Sequence, residues 1–164
     1  AAGPKAAVIA FGNPYSIRQF PRARTYINTF GVGDALEIAA ARALHEKVLA
    51  SDIDPPSVQV ARDNARLNVA GHLVQAVRAT GFAAPQFVAA APFDLVLANI
   101  LANPLRQLAA PMARHLAPSA MVILSGLLTH QAPAVIAAYR ARGLVPLRHL
   151  RIEGWSSLLL SKVN

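Results

Sequence analysis

The stretch Val48-Leu49-Ala50-Ser51-Asp52-Ile53-Asp54-Pro55-Pro56 decides the fold. Residues 48–51 form a short apolar run, a strand closing on Asp52. Asp54 then stands where a helix N-cap belongs and Pro55 at the first helical position. A short polar side chain accepts the orphan N–H groups there, and proline has none to leave unpaired. The helix runs to about Val69, ahead of Gly71. Working outward, the same alternation recurs. Leu73–Val77 is a strand, and Phe93–Ala98 (FDLVLA) is a nearly continuous apolar run, as a strand covered on both faces requires. Asn103-Pro104 repeats the cap-then-proline signal, and Leu105, Leu108, Ala109, Met112 and Leu116 share one helical stripe. Met121–Ser125 reads as a buried strand. Thr129 opens a helix carrying Ala132, Val135, Ile136 and Tyr139, closed by Gly143. Leu144–Ile152 and Trp155–Ser161 flank Glu153-Gly154 as a terminal hairpin. Upstream, Ala35–Leu44 is an Ala-rich helix. Strand and helix in alternation predict an α/β fold, a mostly parallel sheet with helices on both faces and an antiparallel pair at the end.

The chain has 164 residues, a length for one domain with a proper core. Sixteen Lys and Arg, thirteen of them Arg, face eight Asp and Glu, for a formal net charge of +8. Six of the acids lie between residues 34 and 63, and only Asp94 and Glu153 follow, so a task needing a carboxylate has few candidates. The absence of cysteine excludes disulfides, thiolate zinc sites and a cysteine nucleophile. No basic-then-apolar leader and no run of 18 apolar residues is present, so the expectation is a soluble cytoplasmic domain. The first residue is Ala1, as in a processed chain or a fragment.

In open α/β sheets ligands bind beyond the carboxyl ends of the strands, which singles out Asp52 and Asn99. Asp52 follows Gly31-Val32-Gly33 by about twenty residues. An acidic residue at that point of a nucleotide-binding unit accepts hydrogen bonds from both ribose hydroxyls. The alternative role, capping the next helix, is already filled by Asp54. Asn99 offers a donor and an acceptor at a strand end, which suits a ligand or a turn equally. The five histidines have no metal-ligand spacing, and Ser125-Gly126 lacks the frame of a nucleophile elbow. Arg62, Arg66, Arg140, Arg142, Arg148 and Arg151 read as a solvated basic face.

Three blocks carry a family resemblance. They are Ser51-Asp52-Ile53-Asp54-Pro55 with Ala61-Arg62-Asp63-Asn64-Ala65 and Asn68, then Phe93 through Ala102 (FDLVLANILA), then Ile123-Leu124-Ser125-Gly126-Leu127-Leu128. With the closing Glu153-Gly154-Trp155, the chain over roughly 35–161 resembles the PrmA-type ribosomal-protein methyltransferases. The resemblance implies a Rossmann-like class I methyltransferase fold. It also implies S-adenosyl-L-methionine as cofactor and amino groups of large-subunit ribosomal protein eleven as substrate, with no direct reading of nucleic acid and no membrane. By position it gives Asp52 to the cofactor ribose. Asn99 is given to the cofactor and to the place where the amine attacks, and Gly31 and Gly33 to the cofactor loop; no metal is implied.

The resemblance breaks over residues 13–33. Aligned without gaps from Ala39, Asn28 takes the acidic position that ends the family's first strand, and Phe30, Val32 and Asp34 stand where glycines belong. A one-residue slip restores Gly31 and Gly33. This window has two of the three Tyr and a single Ala in a chain averaging one in five. Matching flanks around a foreign interior predict a segment translated out of frame, which the two other reading frames of the coding DNA test. Residues 1–34 then hold a first strand and an atypical cofactor loop, and 35–164 the rest of a single domain. Pro118-Ser119-Ala120 replaces the family's Pro-Gly-Gly turn. The family's N-terminal recognition domain has no counterpart in these residues, so slow methylation of the intact ribosomal protein is expected. Two alternatives stand beside this reading: a non-catalytic remnant of the fold, and a nicotinamide-dependent oxidoreductase using Gly31, Gly33 and Asp52.

Overall fold

The computed structural model describes residues 5–10, 47–67, 69 and 71–163. Among them, seven strands form one sheet: β1 (Lys5–Ala10), β2 (Lys47–Asp52), β3 (Val74–Arg78), β4 (Phe93–Asn99), β5 (Leu116–Leu128), β6 (Leu144–Ile152) and β7 (Trp155–Lys162). The helices are α1 (Pro55–Leu67), α2 (Pro85–Ala90), α3 (Ala102–His115) and α4 (Ala132–Arg140), with a 3-10 turn at Thr129–Gln131. The strand order is β3-β2-β1-β4-β5-β7-β6. Strands β1 to β5 pair in parallel, and β7 runs antiparallel to both of its neighbours.

Local chemistry starts α1 as the sequence predicts. Asp54 Oδ2 accepts the backbone N–H of Ser57 at 3.1 Å and its hydroxyl at 2.8 Å. The second cap-then-proline signal is displaced. Leu101 is the cap residue of α3, without a side-chain bond, and Asn103 and Pro104 both lie inside the first turn. A proline is tolerated there because first-turn N–H groups have no helical partner. Thr129 likewise opens a 3-10 turn and not the helix; α4 starts at Ala132, which puts Pro133 in its first turn. The short α2 was not foreseen, since six residues are too few to show a helical period.

The middle strands are buried on both faces, which is why β4 reads as an unbroken apolar run. On one face Phe87 of α2, Leu105 and Met112 of α3, and Val135 and Tyr139 of α4 pack over Val96, Val122, Leu124, Leu158 and Leu160. On the other, Val58 of α1 covers Ala50 and Ala76, and Leu95, Leu97 and Ile123 form a second cluster. Each large side chain so buried stabilises the fold by about 1.5–3 kcal/mol.

Two cations serve as clamps. Arg62 donates from Nε and Nη2 to Ala76 O at 3.1 and 2.9 Å, tying α1 to β3. Lys162 Nζ donates to Ala113 O at 3.1 Å and Leu116 O at 2.8 Å, satisfying carbonyls at the end of α3. The basic face is solvated as expected, with Arg62, Arg66, Arg140, Arg142, Arg148 and Arg151 all exposed, although Arg62 also reaches a strand carbonyl and Arg66 pairs with Asp63 at 3.0 Å.

The strand between β2 and β4 is Lys5–Ala10. The alignment position given to Asn28, at the end of the family's first strand, lies outside the described residues. Residues 6–10 are apolar throughout, as a strand flanked on both sides demands. Ser119, standing where the family has glycine, adopts φ +59°. That is a left-handed backbone carried by a residue that has a Cβ.

Candidate functional site

Buried polar side chains collect at one end of the sheet. Among the described residues they are Ser51, Asn99, Ser125, Ser156 and Ser157. Ser51 lies one residue from the end of β2, Asn99 ends β4, and Ser125 lies near the end of β5. Ser156 and Ser157 open β7, whose antiparallel course brings its first residues to that same edge. Among the other described residues the buried side chains are apolar except for the Tyr139 phenol, so water or a polar ligand is best accommodated at the carboxyl ends of the parallel strands.

The two residues singled out from sequence both sit on this edge, on either side of β1. Ile9 pairs with Ser51 and Ala10 with Asn99. Asp52 and Asn99 are thus two strand spacings apart, about 10 Å across the sheet. Asp52 Oδ1 accepts the N–H of Asp54 at 2.7 Å, which fixes the carboxylate against its own turn. Burial pushes the Asp52 carboxyl above its ordinary value, opposed by the backbone N–H of Asp54 and reinforced by the charge of Asp54. Asp54 spends its own Oδ2 on Ser57, so the helix cap falls to Asp54 and not to Asp52, as the sequence suggests. Beside Asp52, Ser51 Oγ is buried with no hydrogen-bond partner. A hydroxyl left so costs about 1–3 kcal/mol, which a hydroxyl-rich ligand at this edge would relieve.

Asn99 is 6% exposed and is the register partner of Ser125, whose Oγ lies 3.3 Å from Ser157 Oγ. The next residue, Gly126, has φ +81°. A Cβ there would stand 2.8 Å from Asn99 Oδ1, 2.8 Å from Ile100 O and 3.0 Å from Ile100 N. Only glycine lets the end of β5 come this close to the Asn99 side chain and the turn beyond it. The β5–β7 register shifts between Leu124 and Leu127, where the strand bends away. Sequence reasoning gave this pair no place in the site, having weighed Ser125-Gly126 as a nucleophile elbow and counted it in a block of the family resemblance. The available signal was position: Ser125 closes an apolar strand just as Asn99 does, and a glycine follows.

Gly31 and Gly33, with the whole of 13–33, lie outside the described residues, as does His45. No group of three His, Cys, Asp or Glu side chains that could hold a metal occurs among the described residues. His115 Nδ1 instead bonds Pro111 O at 2.8 Å, and its ring stacks on Phe82 with centroids 4.9 Å apart.

Comparison with known proteins takes the edge from geometry to kinship. Residues 17–163 match the model of the family described as ribosomal protein L11 methyltransferase (PrmA). The chain belongs to that family. A curated member from Bradyrhizobium diazoefficiens is 82% identical over 129 residues, which is 79% of this chain and 44% of the relative. The chain therefore spans less than half the length of that relative. A ribosomal protein L11 methylase from Lactobacillus delbrueckii subsp. bulgaricus superposes with a TM-score of 0.75 and 26% identity, covering all of this chain and 72% of that one. An RNA methyltransferase from Salinibacter ruber, in complex with S-adenosyl-L-homocysteine, gives a TM-score of 0.62 at 18% identity over 98% of this chain and 82% of its own. At that identity the likeness speaks for the fold, and the fold is that of the class I methyltransferases.

Proposed function

We propose that this chain forms the S-adenosyl-L-methionine-dependent catalytic unit of a methyltransferase whose substrate is a ribosomal protein, working in the cytoplasm. The observation that carries the reading is the half-buried Asp52 carboxylate at the end of β2, held by its own turn and set beside the unpartnered Ser51 hydroxyl. The S. ruber neighbour with S-adenosyl-L-homocysteine and the family's printed name support it.

In this reading Asp52 accepts both ribose hydroxyls, bonds strengthened by its charge. Asn99 directs its amide at the cofactor and the incoming amine. Gly31 and Gly33 are the loop glycines that let the backbone approach the cofactor without a Cβ between them. The cofactor supplies a methyl group on a sulfonium, an electrophile needing no metal and no covalent enzyme intermediate. The chain's residues then have to align a neutral amine with that methyl and exclude water, which is catalysis by positioning.

Thermal unfolding with S-adenosylhomocysteine, and separately with NAD, tests the assignment. At a hundredfold excess over Kd, a ligand bound only by the folded state stabilises it by about 2.7 kcal/mol. In a chain of this size that raises the melting temperature by roughly 5–11 °C. A shift with S-adenosylhomocysteine supports the reading. A shift with NAD alone replaces it with an oxidoreductase, and no shift with either replaces it with a non-catalytic remnant of the fold.

A further inference from the structure

A cavity of about 530 Å³ opens between α4 and β6, the edge strand of the sheet. It contains neither Asp52 nor Asn99, and it adjoins the carboxyl edge through Thr129, which accepts from Ser156 Oγ at 3.3 Å. Three guanidinium groups line it, Arg140 from α4 and Arg148 and Arg151 from β6, together with the apolar surfaces of Pro133, Ile136 and Pro146. No carboxylate is among its lining residues. Over residues 116–163 the one acidic side chain is Glu153, in the turn between β6 and β7. The cavity is thus cationic and unneutralised from within, and its size falls in the roughly 300–1,000 Å³ range of ligand sites.

Arg151 is held in place by a hydrogen-bond chain of fixed polarity. Its Nη2 donates to His149 Nδ1 at 3.1 Å, and His149 Nε2 donates to Ser156 Oγ at 2.8 Å. Ser156 Oγ donates to Thr129 Oγ1 at 3.3 Å, and Thr129 Oγ1 donates to Gly154 O at 3.0 Å. A guanidinium cannot accept and a carbonyl cannot donate, so every proton in the chain is assigned. His149 is neutral with its proton on Nε2. A cation tethered in this way binds an anion without losing its own freedom a second time.

We propose that this cavity seats one nucleotide of a single-stranded RNA, the guanidinium groups taking phosphate oxygens and the apolar floor taking the base or sugar face. A nucleotide sets a phosphate and a flat base or sugar face side by side, which is the pairing of guanidinium and apolar surface that this lining presents, whereas a run of acidic side chains needs the arginines alone. A duplex presents its bases stacked inward and reaches a concave pocket only with phosphates. The contact is to backbone and ring face, so it binds without reading sequence. It does not depend on methyl transfer; the choice of RNA over other nucleic acid rests on the ribosomal reading above.

The test is fluorescence anisotropy of a fluorescein-labelled twelve-nucleotide uridine RNA titrated with the full chain, in increasing salt. The two phosphates flanking one seated nucleotide give a log–log salt slope of about −1.4, so affinity falls roughly sevenfold between 50 and 200 mM salt. Arg140→Ala with Arg148→Ala should weaken binding about tenfold at low salt and flatten the slope to about −0.7. Arg148→Glu provides a second variant at an exposed position. Arg106→Ala with Arg114→Ala, an equal loss of charge on α3, should change binding less than twofold. Equal weakening by the α3 pair would overturn the site in favour of diffuse attraction by a basic protein. Displacement of the RNA by a twelve-residue polyglutamate at equal concentration would overturn the nucleotide assignment in favour of an acidic peptide. A single-stranded DNA of matching length binding tenfold tighter than the RNA would overturn the choice of RNA. The absence of binding at 50 mM salt would overturn the whole proposal. None of these outcomes bears on S-adenosylhomocysteine binding, so the two readings fail separately.

Discussion

Replacing Gly126 by alanine tests whether the close approach of β5 to Asn99 is a real constraint. Two terms act. At φ +81° an L residue carries left-handed strain of about 1–2 kcal/mol, partly offset by the roughly 0.4–1 kcal/mol that alanine gains over glycine through the unfolded chain. The new Cβ also meets Ile100 O and Asn99 Oδ1 at 2.8 Å, and backbone atoms cannot swing aside as a side-chain tip can. Overpacking of this kind costs about 1–3 kcal/mol, for a total near 2–4 kcal/mol. Gly143 isolates the first term, since its φ is +77° and nothing lies within 4 Å of the place a Cβ would take. Gly143→Ala should therefore cost about 1 kcal/mol or less. With a urea m value of about 2 kcal/mol/M, the unfolding midpoint should fall by roughly 1–2 M for Gly126→Ala and by about 0.5 M or less for Gly143→Ala. Equal shifts in the two variants would show that β5 can draw back freely, and the account of how Asn99 is positioned would be wrong.

Asp52→Asn should abolish most S-adenosylhomocysteine binding yet leave the ligand-free protein as stable as the parent or more so at pH 7. The reason lies in the sign of its shift: a carboxyl whose folded pKa is raised loses stability as pH rises through it, and the amide removes that loss. A lower melting temperature without ligand and unchanged binding would reverse both halves. Tyr139→Phe should raise stability by about 1 kcal/mol in urea unfolding, since the phenol is fully buried with its oxygen unpartnered; destabilisation would mean that the hydroxyl has a partner. Burial, with the Arg151 charge behind it, holds the His149 pKa below its ordinary value. A depressed imidazole contributes stability above the unfolded pKa, near 6.5, that is lost as pH falls through it. His149→Gln should accordingly lessen the drop in urea midpoint between pH 7.5 and 5.5, and an unchanged drop would remove His149 from the account.

Much of the architecture is written locally. The cap at Asp54, the two-faced apolar runs of β4 and β5, and the hairpin around Glu153-Gly154 each follow from one short stretch, because capping, periodicity and turn chemistry act over a few residues. Asp52 and Asn99 were legible for the same reason: both close strands, and the parallel order puts strand ends together. The starts of α3 and α4 were misjudged because a cap residue and a first-turn proline look alike in a string of letters.

What the sequence by itself determined is the kind of protein this is: an α/β chain of one family, with a carboxylate at the second strand and an amide at the fourth. What only the tertiary structure decided is which distant side chains share a surface. Ser125 and Ser157 meet because β5 and β7 pair antiparallel, and Gly126 matters because Asn99 of β4 lies 2.8 Å from where its Cβ would be. Arg62, on the solvated face, also reaches the carbonyl of Ala76 in β3, while Arg140 joins Arg148 and Arg151 around one cavity. Local signals decay within a turn or a strand, whereas these encounters depend on how whole elements are laid side by side.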